Sequence, residues 1–406
     1  MMIGRFFLRR RSDPLRRLRQ RIEDLENVSM HCRHMSSSSS SSSSSRIILG
    51  IETSCDDTAV AIVSSEGEIL SNVVASQWDL QSEYEGIHPM MSSREHEKNL
   101  PYVIERAVEE SGVGDVGNVD AVAVTSGPGL ALCLQIGLDA AKEICLEHDL
   151  PLYPIHHIEA HTLVPRIENT VQFPFLALIT SGGHTLLVHV ESHGVYRRLG
   201  TTVDDAAGEA FDKVARMLRL TDSFVGHGGV ALQNAALNGD ASRCPARLPV
   251  PLRRNAKHSK TCDFSFSGLK TAVLYAIREY DESTFFQDTS MVNDFAASFQ
   301  DVAVQHLVDR TRKAIELCER ENLDMSCLVV SGGVAANTLL RERLSDLTSN
   351  HDLNLAFPPL SLCTDNGVMI AWAAHEAIRS SSPPSALISK DEISALQISP
   401  RWPFGI

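Results

Sequence analysis

His157 and His161, in the stretch HHIEAH, stand four residues apart, so on a helix their imidazoles share one face and can chelate one metal ion. A zinc peptidase of the HExxH kind needs its glutamate directly after the first histidine, aimed at a metal-bound water. That position holds Ile158, and Glu159 comes one residue too late. A bare HxxxH pair is also a common arrangement of surface or capping histidines. Asp365, in LCTDNGVMIAWAA, offers a third ligand where a loop meets an apolar helix, with Cys363 and Asn366 beside it. Two imidazoles and one carboxylate leave coordination positions open, a set that suits Fe or Zn better than Mg.

Three small-residue loops have the chemistry to hold an anion. SCDDT (54–58) and TSGGHT (180–185) each follow an apolar run, and SGGVAAN (331–337) stands between a strand-like run and a helical one. Glycine lets backbone N–H groups approach a phosphate, and hydroxyls add donors. Each loop alone also reads as an ordinary tight turn, but their recurrence at matching points favours a nucleotide site. Asp56 and Asp57 beside the first loop suit a Mg ligand or a general base, or are simply the solvated acids of a turn. Asp204 and Asp205 read as helix caps, whereas Asp212 and Lys213, further along that helix, can face a cleft. Arg253, Arg254, Lys257 and Lys260 in RRNAKHSK read either as a solvated loop or as a local RNA footprint.

Positioning these loops requires a repeated scaffold. Residues 46–76 read as three antiparallel strands, with SCDDT after the first and a turn at Glu66-Gly67. Residues 175–203 repeat that plan with TSGGHT and a turn at His193-Gly194. A strand, a glycine loop and a helix follow later in each half, as VDAVAVTSGPGLALCLQIGLDAAKEI and CLVVSGGVAANTLLRERL. The pattern predicts a duplicated α/β fold with lobes over 46–172 and 173–406 and a cleft between them. Three helical segments between residues 204 and 322 predict a helical insertion in the second lobe.

The first 45 residues read differently. Residues 1–21 carry eight arginines and one acid, Asp13, among Phe and Leu, the amphipathic pattern of a mitochondrial presequence over 1–35. A basic nucleic-acid-binding tail is the alternative; the apolar run is too short for a secretory core or a membrane span. Ten serines, Ser36 to Ser45, have nothing to bury and predict a disordered linker. This opening holds nine of the 37 basic and four of the 51 acidic residues, which leaves 28 against 47, a net charge of −19. A chain that acidic is no general nucleic-acid binder, and any RNA requires a local basic patch. The nine cysteines form no CxxC pair and read as buried thiols of a reducing compartment.

The motifs GIETSCDDTAVA, SREH, TSGPGL, HHIEAH, SGGHT, DDAAGEAFDKVA, DFSFSGLKTAV, SGGVAAN and CTDNGVMIA, in this order, resemble the TsaD-type tRNA threonylcarbamoyladenosine transferases, once described as glycoproteases. With the presequence, the chain looks like the mitochondrial stand-alone branch. The resemblance implies the actin-like ATPase (ASKHA) fold. It implies transfer of threonylcarbamoyl from L-threonylcarbamoyl-AMP to N6 of adenosine 37 in mitochondrial tRNAs that read codons beginning with A. It implies His157, His161 and Asp365 as ligands of one divalent ion, and Thr180, Ser181, Gly182, Gly183, His184, Asp212, Gly229 and Asn337 as substrate contacts. Expected partners are tRNA, a threonylcarbamoyl-AMP synthase of the YrdC/Sua type and a second copy of the chain, in the mitochondrial matrix and not on a membrane. Met90 stands where the family usually has a carboxylate, His227 lies in a lengthened turn before Gly229, and His156 occupies a position where Asn is common and competes with His157 and His161 as a ligand candidate. The competing classes are a metalloendopeptidase and an ATPase or sugar kinase of the same fold.

Overall fold

IILGIE and DTAVAIVS are rich in β-branched and small apolar residues, and nearly every position is buried. Such runs suit strands covered on both faces. They form β1 (Ile47–Glu52) and β2 (Asp57–Ser64) of the computed structural model, which describes residues 45–77, 88–168, 170–221, 228–253, 257, 258, 260–380 and 389–405. The presequence, the linker as far as residue 44, His227 and Arg254 lie outside the described residues.

The first half continues with β3 (Ile69–Ser76), α1 (Pro89–Ser111), β4 (Ala121–Gly127), α2 (Ala131–His148), β5 (Leu152–His156) and α3 (His157–Leu163). The second opens with β6 (Phe175–Thr180), β7 (Thr185–Ser192) and β8 (Val195–Thr201). Five helices follow, α4 (Ala207–Met217), α5 (Gly228–Leu237), α6 (Ser267–Ile277), α7 (Glu282–Gln287) and α8 (Thr289–Glu321). The chain then returns through β9 (Cys327–Ser331), α9 (Thr338–Ser349), β10 (Asn354–Ala356), α10 (Gly367–Arg379) and α11 (Lys390–Ala395).

The duplication is explicit in the strand order. One sheet runs β3-β2-β1-β4-β5 and the other β8-β7-β6-β9-β10. In both, the three leading strands pair antiparallel and the last two join in parallel. Helices α4 to α8 sit between β8 and β9, where the described residues of the first half have α1 and a short helical turn at Val116–Asn118, and they supply much of the largest apolar cluster, including Phe211, Phe295 and Phe299.

The last part of the chain does not stay with the second sheet. Helix α10 packs on β1, β2 and β4, and its residues from Gly367 to Ala377 are buried. Two glycines allow that approach: a Cβ on Gly50 of β1 would meet Gly367 O at 2.3 Å, and one on Gly367 would meet Ala61 N at 2.3 Å. The strand-based division at residue 172 therefore leaves α10 in the second half by chain order, while its packing partner is the first sheet. The tail clasps both sheets. Ser399 N donates to Ser126 O of β4 at 2.7 Å, and Phe404 enters the apolar cluster of β6, β7 and β9. The eight described cysteines are unpaired, and six of them are buried.

Candidate active site

The end of β5 turns directly into α3, which brings two histidines to the same face. The His157 and His161 rings lie 4.8 Å apart, edge to face. Asp365, just before α10, places Oδ1 3.0 Å from His161 Nε2 and 3.7 Å from His157 Nε2. One ligand atom from each of the three lies within 4.8 Å of the others. Asn366 fixes the approach by capping α10, its Oδ1 accepting from Met369 N at 2.9 Å. Sequence spacing alone does not show that Asp365 reaches the pair. The helix that follows it, laid across the first sheet, carries it there.

Glu52 is the participant that sequence reasoning missed. It ends β1 with no exposure, and Oε2 lies 3.3 Å from His157 Nδ1 while accepting from the Thr125 hydroxyl. Oε1 accepts from Ser54 N at 2.5 Å. A buried carboxylate holding one ring nitrogen leaves the other, Nε2, turned towards Asp365, an outer-shell arrangement typical of metal-binding histidines. A charged residue closing an otherwise apolar strand was the available signal.

The electrostatics favour positive charge at this point. Burial opposes protonation of His157, but Asp365 and Glu52 outweigh it and raise the imidazole to about 9. Burial likewise opposes ionisation of Asp365, yet His157 and His161 hold its carboxyl far below the usual range. His161 Nδ1 is buried without a partner. Two imidazoles and two carboxylates arranged around a stabilised positive charge fit a divalent cation. His156 is not part of the set: its Nδ1 accepts from Ile158 N at 3.1 Å and its Nε2 donates to Trp402 O at 3.2 Å. It caps α3. Glu159 is turned away, accepting from the Tyr196 hydroxyl at 2.5 Å with His193 Nε2 3.6 Å off.

The glycine loops gather beside this cluster. In TSGGHT, Ser181 N donates to His184 O at 2.8 Å, while Gly182 and Gly183 are exposed, with no atom within 4 Å of where a side chain would grow. The His184 ring lies 6.3 Å from that of His157. Burial, with the positive His157 nearby, drives the His184 imidazole down to about 3, so it stays neutral. Gly332 of SGGVAAN, at φ +95°, packs so tightly that a Cβ would meet Thr180 O at 2.5 Å. Gly208 in the first turn of α4 donates to Ser181 O at 3.2 Å, so the positive end of that helix faces the same loop.

SCDDT is pinned from α1, where His96 places Nδ1 2.8 Å from the Thr58 hydroxyl and Nε2 3.1 Å from Cys55 O. Asp57 is buried, and its Oδ1 has no partner. Burial, followed by the charges of Asp56 and Asp365, pushes its carboxyl up to about 8. Asp56 is half-buried, and neither acid belongs to the three-ligand cluster.

The remaining site residues have definite local partners. Asp212 Oδ1 accepts from Gly229 N at 3.0 Å, joining α4 to the start of α5. Asn337 caps α9 through Leu340 N at 3.0 Å and donates to Gln300 Oε1 at 2.7 Å. Asp204 does not cap the helix it precedes. It accepts from Ser265 Oγ, Phe266 N and Ser267 N at the start of α6. Asp205 pairs with Lys270 and, at 3.3 Å, with Lys213, which also reaches Glu209 at 2.6 Å. Lys213 is thereby committed to a surface network of the insertion.

A family model described as TsaD, tRNA N6-adenosine threonylcarbamoyltransferase, matches residues 68–372. The chain belongs to the TsaD family. A probable mitochondrial tRNA N6-adenosine threonylcarbamoyltransferase of Arabidopsis thaliana is 43% identical over 370 residues, covering 88% of this chain and 75% of that protein. The tRNA N6-adenosine threonylcarbamoyltransferase of Brucella ovis is 44% identical over 364 residues, covering 88% and 94%. Among solved structures, HypF of T. kodakarensis is similar with a TM-score of 0.51 at 14% identity, covering 82% of this chain and 47% of that one. The two mixed sheets of this TsaD chain form the duplicated actin-like ATPase fold. Its family makes it an acyltransferase that acts on tRNA adenosine. None of its described helices is long and apolar enough to cross a membrane.

Proposed function

We propose that the chain transfers threonylcarbamoyl from L-threonylcarbamoyl-AMP to N6 of adenosine 37 in mitochondrial tRNAs that read codons beginning with A, releasing AMP. The observation that carries the reading is adjacency: the open Gly182-Gly183 backbone and the His157–His161–Asp365 cluster meet at His184, 6.3 Å from His157. In this reading His157, His161 and Asp365 hold one divalent ion, Fe or Zn rather than Mg. Such an ion supplies Lewis-acid polarisation and an anchor for substrate oxygens.

The protein's own residues do the rest. The N6 amine attacks the carbamoyl carbon, the bond to the phosphate oxygen breaks, and AMP leaves. The backbone N–H groups of Gly182 and Gly183, at the positive end of α4, receive the adenylate phosphate. His184, neutral at physiological pH, contributes one donor and one acceptor without adding charge. Glu52 keeps the His157 ring in place through Nδ1. Burial and the neighbouring Asp56 charge favour the protonated form of Asp57, which leaves Asp56 as the candidate to take the proton from N6. Asp212, Gly229 and Asn337 shape the wall on which the adenosine rests. Gathering the reactants in this way lowers the barrier without a covalent intermediate.

The test is nucleoside analysis of tRNA incubated with the purified chain, threonine, bicarbonate, ATP and a threonylcarbamoyl-AMP synthase. Threonylcarbamoyladenosine should appear at position 37, and tRNA that stays unmodified with the metal-loaded chain would sink the reading. The endopeptidase alternative fares poorly because Glu159 is bound to Tyr196 and turned from the cluster.

Residues 1–45 are proposed to direct import into the mitochondrial matrix, where the chain acts as a homodimer. Fused to a fluorescent protein, they should deliver it to mitochondria. A fusion that remains cytosolic would refute this.

A further inference from the structure

Helix α8 turns several cations towards the loop that leads into α6. A cavity of about 490 Å³ lies there, lined by Arg253 of the loop and by Arg310, Arg312 and Lys313 of the helix, with Asp309 and Glu316 among them. Asp309 accepts from Arg312 at 3.0 Å and from Gln305 at 2.9 Å, so one cation is already matched. His306 also lines the cavity but adds no charge. Burial and the neighbouring Arg310 hold it down to about 3, and its Nε2 accepts from Ser265 N at 3.2 Å.

Arg310 is the informative residue. It is only 3% exposed, and its Nη1 donates to two neutral carbonyls, His258 O and Thr261 O, both at 2.8 Å. Its Nε is buried with no partner at all. A buried guanidinium is costly unless an anion compensates it. Those carbonyls also hold the loop against α8, so the same side chain organises the wall of the cavity while making no direct ion pair among the described residues, with Asp309 and Asp263 acting on it only through space.

We propose that this cavity receives a backbone phosphate of the tRNA. The inference deepens the transferase reading and rests on it. Arginine forks match phosphate geometry, and four cations against two acids leave the lining net positive. Its lining holds no Phe, Tyr or Trp on which a base could stack, so it suits reading charge rather than sequence. The chain beyond residue 45 carries 28 basic against 47 acidic residues, so attraction for RNA has to be local. Among the described residues of the basic run RRNAKHSK, Arg253 lines this cavity and Lys257 and Lys260 do not; the other three lining cations come from a helix far along the chain.

The test replaces Arg253, Arg312 and Lys313 with Ser in the full chain and leaves buried Arg310 in place. Binding of tRNA should weaken by about tenfold or more near 0.1 M salt, and the slope of log affinity against log salt should flatten by about two to three. Metal content and melting temperature should match wild type, with the kinetic loss falling on KM for tRNA. The pair Arg253→Lys and Arg312→Lys should keep the wild-type slope. Unchanged affinity and slope in the triple Ser variant, while the wild-type chain modifies tRNA, overturns the proposal. Calorimetry with inorganic phosphate supplies the other arm: phosphate binding abolished by the triple variant, with tRNA affinity intact, makes this a small-anion site and also overturns it. A wild-type chain that modifies no tRNA removes the parent reading and this one with it.

Discussion

Asp365→Ala should release the bound ion from the purified protein and lower tRNA modification by more than about 100-fold, because losing even an outer-shell partner of a metal ligand costs about 10–100-fold. Asp365 supplies the only carboxylate of the three-residue cluster, and it bridges towards both imidazoles. Two histidines on one turn of helix hold an ion poorly without a third ligand. The side chain is 21% exposed, so removing it leaves no large cavity and the variant should fold. Glu52→Gln makes the informative contrast. It keeps all three ligands but removes the negative charge behind His157 Nδ1, so metal affinity should fall by about 10–100-fold while saturating metal restores modification. Elemental analysis and nucleoside analysis of the same preparations check both. Full metal occupancy in Asp365→Ala would show that the three residues are not the ligand set.

Gly367→Ala should destabilise the protein by about 3 kcal/mol, near the upper end for overpacking a core. The added Cβ would stand 2.3 Å from Ala61 N and 2.6 Å from Val60 C, both backbone atoms of β2, a strand paired on both edges. Neither helix nor strand can yield by a rotamer change. Because Asp365 lies two residues before the clash, any shift of α10 also moves this proposed ligand, so metal should be lost along with stability. Gly182→Ala is the control: nothing lies within 4 Å of its Cβ position, and stability should stay within about 0.5 kcal/mol of wild type. Denaturant unfolding of both variants measures the difference. A Gly367→Ala protein as stable as wild type would mean that α10 does not sit on the first sheet this closely.

Local signals were legible and long-range ones were not. The i, i+4 spacing of His157 and His161 depends only on helix geometry, and the strand–turn–strand rhythm of residues 46–76 and 175–203 depends only on side-chain alternation. Both survive into the structure, as does the insertion. Glu52 was hidden because a single acid at the end of an apolar strand looks like its polar boundary. Asp204 was read as a cap for the helix beside it, and it caps α6 instead, since the loop 260–266 folds back along β8. His156 looked like a rival ligand, but the carbonyl of Trp402 and the N–H of Ile158 occupy both of its nitrogens. The packing of α10 on the first sheet has no local signature, because complementarity between Gly50 and Gly367 is visible only once both are placed.

That crossing sets an order of events for a chain made from its N-terminus onward. When β1 to β5 have emerged, the sheet face bearing Ile48, Ala61, Val63, Ala121 and Ala123 still lacks α10, the helix whose Val368 to Ala374 pack against it. The second half must be synthesised through residue 379 before that cover arrives. Until then the first half exposes apolar surface of the kind that aggregates or recruits a chaperone. Asp365, the carboxylate of the proposed ligand cluster, arrives on the same late segment, so on that proposal the metal site and the first core are completed together. Truncation anywhere before residue 365 should thus yield neither a half-active enzyme nor a stable lobe, but an insoluble fragment.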